Sequence, residues 1–324
     1  MRGAIATLLV ALSVVASGGT ARAADDVPWS VSTAANSFGA DRPNYSYTVN
    51  PGEQIEDGLI VANSGKTPLS LAVFAADGFT TDAGKLDLLT MDAKSTGVGA
   101  WVRAAQSQVT VQPGQSVQVP FILAVPAGAT PGDRMGGIVT SLTQGGENRR
   151  LAIRIRLRVS GELKPSMSVD DVRLHYSGTP NPFGKGDATV TYTIHNTGNA
   201  ILAARPSTSV AGLFGIGRVE SAKVDDTPQL LPGESWKVSA KVDGVPAAVR
   251  ATGTVKLLPL LTDAAGSTGT LDNVTATTHA WTIPWVALLV LLVLCAVVVL
   301  ILRRRRRHSA SVVPAERERE TADR

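Results

Sequence analysis

The chain has 324 residues, 44% hydrophobic and 18% charged, with 31 Lys and Arg against 27 Asp and Glu, a formal charge of +4 and one cysteine. That thiol, Cys295, lies inside an apolar run, so no disulfide framework is available; stability must come from apolar cores, and the length suffices for two. The basic excess does not indicate a nucleic-acid partner, because it is local: Arg303 to Arg324 holds eight Arg and four acidic residues and Met1 to Ala23 two Arg, which leaves the stretch between at about −2.

At the start, residues 1–23 combine a basic residue (Arg2), an apolar stretch from Ala4 to Ala16 and the small-x-small end Ala21-Arg22-Ala23. The pattern predicts a cleaved signal peptide, since its apolar part is shorter than the roughly 20 residues a membrane span needs. An exported chain without disulfides points to a bacterial surface protein. Between Trp29 and Thr278 helical periodicity is almost absent, and short alternating runs bounded by Gly, Pro, Asn and Asp recur. Tyr45 to Val49 alternates before a turn at Asn50-Pro51-Gly52; Leu69, Leu71 and Val73 share a face; Asp82 to Lys85 reads as a hairpin turn; Val117, Val119 and Phe121 share another face. Ile153, Ile155, Leu157 and Val159 alternate with Arg154, Arg156 and Arg158, which predicts one face in a core and the other in solvent.

A composition break at Ser160 to Pro165 separates a first domain, 24–160, from a second with a short stalk, 161–280. The second has its own strands over Met167–Tyr176, Ala188–Asn196, Ser235–Val242 and Gly253–Leu260. The halves carry a faint repeat: Val61 to Lys66 corresponds to Ile194 to Asn199, and Gln112 to Val117 to Leu231 to Trp236. In each, Asn and Gly are expected to supply a left-handed turn after one strand, and Pro-Gly a tight turn before the next. The expected fold class is all-β, two tandem immunoglobulin-like sandwiches without the Cys-Trp-Cys pattern of antibody domains, followed by one C-terminal transmembrane helix.

That helix is predicted over 281–302. Ile283 to Leu302 is a twenty-residue apolar run, about 30 Å long as a helix, which matches a bilayer's hydrocarbon core. Trp281 and Trp285 are placed as interfacial anchors, and Arg303, Arg304, Arg305, Arg306 and Arg307 as a stop-transfer cluster opening a basic cytoplasmic tail over 303–324. The expected product is a single-pass type I protein of the cell membrane with an extracellular ectodomain.

The order of features from Pro51-Gly52 through Asn63-Ser64 and Pro113-Gly114-Gln115-Ser116 to Val125-Pro126-Ala127-Gly128-Ala129-Thr130-Pro131-Gly132-Asp133-Arg134-Met135-Gly136-Gly137-Ile138 resembles the peptidoglycan-binding domain of WxL-interacting proteins. The resemblance covers Trp29 to Val159 and implies a cell-wall-facing adaptor; the second half matches that family's other domain only loosely, and no WxL-type signature occurs.

Catalytic groups are thin, and no catalytic, cofactor-binding or metal-ligating residue is assigned. His175, His195 and His279 lack the spacing of metal ligands, no Gly-x-Ser-x-Gly elbow occurs, and the pairs Asp25-Asp26, Asp170-Asp171 and Asp225-Asp226 cannot converge from neighbouring strand positions. Gly212 to Gly217 lacks the Lys-Ser/Thr of a phosphate loop and reads as a bent loop, with Leu213, Phe214 and Ile216 as candidate protein contacts. The row Arg154, Arg156, Arg158 has two readings, a solvated strand face balanced by acidic neighbours or a grip on carboxylate or phosphate groups, with Arg134 as a further candidate. The function expected is non-catalytic binding or scaffolding that attaches to peptidoglycan or an anionic wall polymer or bridges it to a surface protein. The alternative is a membrane-anchored accessory subunit of an envelope assembly or secretion complex that recognises a protein.

Overall fold

The computed structural model describes residues 27–178, 184–246, 250–262, 268–281 and 285–309. The predicted signal peptide and the distal tail from 310 lie outside them, as does the pair Asp25-Asp26. The first half contains β1 (Trp29–Thr33), β2 (Tyr45–Val49), β3 (Gln54–Asn63), β4 (Leu69–Thr80), β5 (Leu86–Leu88), a one-turn helix α1 (Val98–Trp101), β6 (Val102–Ala104), β7 (Gln108–Val111), β8 (Ser116–Ala124), β9 (Gly132–Gln144) and β10 (Glu147–Val159). One sheet has the order β1-β3-β8-β6; the other runs β2-β10-β9-β4-β5, with β7 also on β4. The N-terminal segment therefore serves both layers: β1 lies antiparallel to β3, and β2 crosses to lie parallel to β10. This is the strand distribution of an immunoglobulin-type sandwich with the extra strand of a variable-type domain.

Period-two patterning decides which side chains enter. In β10, Ile153, Ile155, Leu157 and Val159 are buried, and in β2 so are Tyr45, Tyr47 and Val49. They meet Leu59, Val61, Val119 and Phe121 of the facing sheet in one core. Trp29 completes it, its indole N–H donating to Thr140 Oγ1 at 2.9 Å. The predicted turns at 50–52 and 82–85 form, the second closed by Gly84 N–H and Lys85 O, both bonded to Thr81.

The second half contains β11 (Met167–Ser177), β12 (Lys185–Asn196), β13 (Leu202–Ala211), β14 (Val219–Glu220), β15 (Ser235–Pro246), β16 (Arg250–Thr262), β17 (Thr268–Thr270) and β18 (Val274–Trp281). Its sheets are β11-β12-β15 and β14-β13-β16, with β17 and β18 following one another along the free side of β16. They enclose a separate core that includes Val190, Tyr192, Ile194, Leu202, Leu230, Val255 and Leu257.

The repeat is structural, though its mechanism differs from the expected one. None of Asn63, Gly65, Asn196 and Gly198 has a positive φ. Instead each Asn is buried and ties the loop after its own strand to a second, distant segment. The Asn63 amide donates to Thr67 O and Val111 O at 2.8 and 2.9 Å and accepts from Gly65 N–H at 2.8 Å. Asn196 does the same with Ala200 O, Leu230 O and Gly198 N–H, at 2.8, 2.9 and 3.1 Å. Glycine is required at 198 by close approach: a Cβ there would lie 2.4 Å from Ser166 N. The Pro-Gly turns form as expected, with Gly114 and Gly233 at φ +70° and +85°.

The two sandwiches are joined by a polar lock. Asp133 is buried; its N–H donates to Asn199 O at 2.7 Å, and its carboxylate accepts from Ile201 N–H at 3.1 Å. Across the joint, Thr80 N–H donates to Glu234 Oε1 at 2.8 Å. At Gly132 a Cβ would sit 2.4 Å from Asn199 O. Replacing Asp133 by Ala is expected to cost about 2 kcal/mol and to split one calorimetric unfolding transition into two; retention of a single transition would contradict the lock.

The membrane expectation is corrected. Among the described residues no helix is long and apolar enough to cross a membrane. Trp281 ends β18, 72% exposed, rather than opening a helix, because the alternation from Val274 extends to it. The C-terminal helix α2 spans Trp285–Ser309. Arg303, Arg304 and Arg305 lie within it, exposed. The side chains of Trp285, Arg306 and Arg307 lie outside the described residues. The single-pass localisation built on that span is withdrawn.

Candidate functional site

Three arrangements carry exposed or buried chemistry. The first is the connection between β13 and β14. Leu213–Gly215 form a 3-10 turn, closed by Gly212 N–H donating to Ile216 O at 2.9 Å. Phe214 sits at φ 58°, ψ 21°, and Gly215 and Gly217 also have positive φ. Holding a phenylalanine left-handed costs about 1–2 kcal/mol, so core burial does not explain the conformation: Phe214 is 95% exposed, Ile216 73% and Leu213 41%. The predicted contact trio is thus brought together as an apolar tip.

The second is the arginine row on the outer face of β10. Arg154, Arg156 and Arg158 lie opposite Gly137, Met135 and Asp133 of β9. Arg158 donates through Nε and Nη2 to the two oxygens of Asp133, at 2.6 and 2.9 Å, so its fork is engaged in the lock. Arg154 is exposed and Arg156 half-buried. Arg134 does not join them. Its register partner is Leu157, and alternation sends it to the opposite face. There its guanidinium stands 4.9 Å from the Trp101 ring centroid and donates to Thr130 Oγ1 at 2.8 Å.

The third, unforeseen, is a buried charge cluster at one end of the first core. The Asp57 side chain is fully buried and accepts from Arg42 Nη1 and Nη2, Asn36 Nδ2, the Tyr47 hydroxyl and Gly58 N–H, all between 2.5 and 3.0 Å. Burial pushes its pKa up, but the hydrogen bonds from Arg42, Tyr47 and Gly58 outweigh that and hold the carboxyl below its ordinary value. Burial first, and then the bond to Asp57, push the Tyr47 hydroxyl well above its ordinary value. Asp57 holds an inward position of the alternation Asp57, Leu59, Val61, and a carboxylate in that place was the available signal.

Among the described residues no group of three His, Cys, Asp or Glu could hold a metal ion. His195 is half-buried in β12, His175 and His279 are exposed, and His279 Nδ1 lies 3.0 Å from Thr252 Oγ1. Asp170 stands beside a bulge in β11, and Asp226 pairs with Arg205 at 2.9 Å.

No family model and no curated protein matches this sequence. Among solved structures the chain is similar to the YadV chaperone, at 12% identity over 78% of this chain and 100% of that one, TM-score 0.33. It is also similar to the class 5 fimbriae chaperone CfaA, at 12% identity over 72% and 95%, TM-score 0.34. The CupB2 chaperone of Pseudomonas aeruginosa matches at 11% identity over 75% and 98%, TM-score 0.31. None of these three reaches 0.5, so the sandwich assignment rests on the strand order itself.

Proposed function

We propose that the chain is a non-catalytic protein-binding module that engages its partner through the apolar tip of the second sandwich. The observation that carries this reading is Phe214, 95% exposed in a left-handed backbone conformation between two other exposed apolar side chains. A strained turn that keeps three hydrophobes in solvent is explained by a partner that covers them. The lock at Asp133 supports the reading, because it holds the tip in a fixed relation to the first sandwich. Replacing Phe214 by Ala is expected to leave stability within about 0.5 kcal/mol and to abolish co-purification of the partner; a drop of several kcal/mol would place Phe214 in the fold instead.

A second reading, attachment to an anionic wall polymer, is favoured by the exposure of Arg154 beside Arg156 and by the resemblance of the 125–138 run to WxL-interacting proteins. It makes the chain an adaptor between a polymer bound by the first sandwich and a protein bound by the second. Sedimentation with purified cell wall, compared between wild type and an Arg154→Gln/Arg156→Gln variant, tests it.

A further inference from the structure

On the outer face of the first sandwich, β10 carries Arg150 and Arg154 about 13 Å apart along the strand, with the small Ala152 between them. The hairpin of β5 folds over this face: Leu88 is buried and packs with Ala76 and Val139 in a small cluster outside the main core. Glycine at 137 makes this possible, since a Cβ there would lie 2.5 Å from a Leu88 methyl. Where the hairpin stops short of β10 it leaves a cavity of about 250 Å³, lined by Leu86, Asp87, Leu88, Val139, Ala152 and the two arginines.

The arginines are set differently. Arg150 is anchored, with Nη1 3.3 Å from Leu88 O and Nη2 3.9 Å from Asp87 Oδ1. Arg154 is exposed at the other end, and Arg156 continues the row. The volume is about that of eight water molecules, which admits one oxyanion and its linkers. A tetrahedral phosphate offers oxygens to both ends of such a space at once, whereas a planar carboxylate presents its two oxygens to one side.

We propose that this cavity binds a phosphate-bearing polymer, one phosphate seated between Arg150 and Arg154 and the next running along Arg156. The site rests on the wall-polymer reading and specifies its chemistry and location. Neither core packing nor the lock requires an exposed arginine at the mouth of this cavity.

The full chain is titrated with inorganic polyphosphate, and with poly-L-glutamate as the carboxylate counterpart, at about 150 mM salt so that diffuse attraction is screened. The variants are Arg154→Gln and Ala152→Leu, which fills the cavity at constant net charge; thermal melting confirms that each folds. Expected are polyphosphate binding by wild type, preference for it over poly-L-glutamate, and a loss of about tenfold or more in each variant. If Ala152→Leu binds as wild type does, the site falls while the wall-polymer reading stands. Preference for poly-L-glutamate overturns the phosphate assignment, and absence of binding to either polymer overturns both.

Discussion

Replacing Asp57 by Ala is expected to lower the unfolding free energy by about 3–5 kcal/mol, read as the shift in urea midpoint at unchanged slope. The size follows from what is left behind. Arg42 is largely buried, 14% exposed at its side chain, and beyond Asp57 its guanidinium donates to Ala34 O. Removing the carboxylate strands that charge and unpairs the Tyr47 hydroxyl and the Asn36 amide. Removing the whole cluster in favour of apolar residues is expected to cost far less, because the desolvation of both charges is then avoided. The same carboxyl sets an acid limit. Its folded-state pKa is depressed, so its contribution is complete above the unfolded value of about 3.9 and is lost as pH falls through the lower folded value. Asp57→Asn is expected to flatten the decline in stability as pH falls below about 5; an unchanged slope would show that other carboxyls govern acid unfolding.

Replacing Asn196 by Ala is expected to cost about 3 kcal/mol, the sum of unpaired Ala200 O, Leu230 O and Gly198 N–H in a site with no exposed surface. Asn196→Asp is expected to cost at least as much, since a carboxylate cannot donate to the two carbonyls. Asn63 has the same three bonds in the first sandwich, so Asn63→Ala should show a comparable loss there. A loss below about 1 kcal/mol at either site would show that water replaces the amide.

The strands were legible in the sequence because a half-buried strand writes its period directly: Ile153 to Val159 and Tyr45 to Val49 have the faces their alternation predicts. The bent loop was legible too, since Gly212, Gly215 and Gly217 interrupt the alternation around Leu213, Phe214 and Ile216. What could not be read is register and distance along the chain. Arg158 meets Asp133 only because β10 pairs with β9 in one register, and Asp133 meets Ile201 only because the second sandwich docks there. Period two also separates Asp133 from Arg134, so that one side chain meets Arg158 and the other leaves by the opposite face. The repeat was visible as Asn-x-Gly, but a left-handed turn and a buried amide leave the same trace in sequence. At the C-terminus, the strand Val274–Trp281 was expected to be a stalk with Trp281 opening the helix, because an alternating edge strand and a polar spacer share exposed Thr side chains.

Site-specific photo-crosslinking at position 214 tests the central claim most directly. With a photoreactive phenylalanine analogue in place of Phe214, in cells that make the protein natively, one adduct of defined mass is expected. The same analogue at Lys237, an exposed position on β15, should give none, and Ile216→Asp should abolish the adduct. Absence of an adduct at 214, or the same products from both positions, would contradict a partner-binding tip.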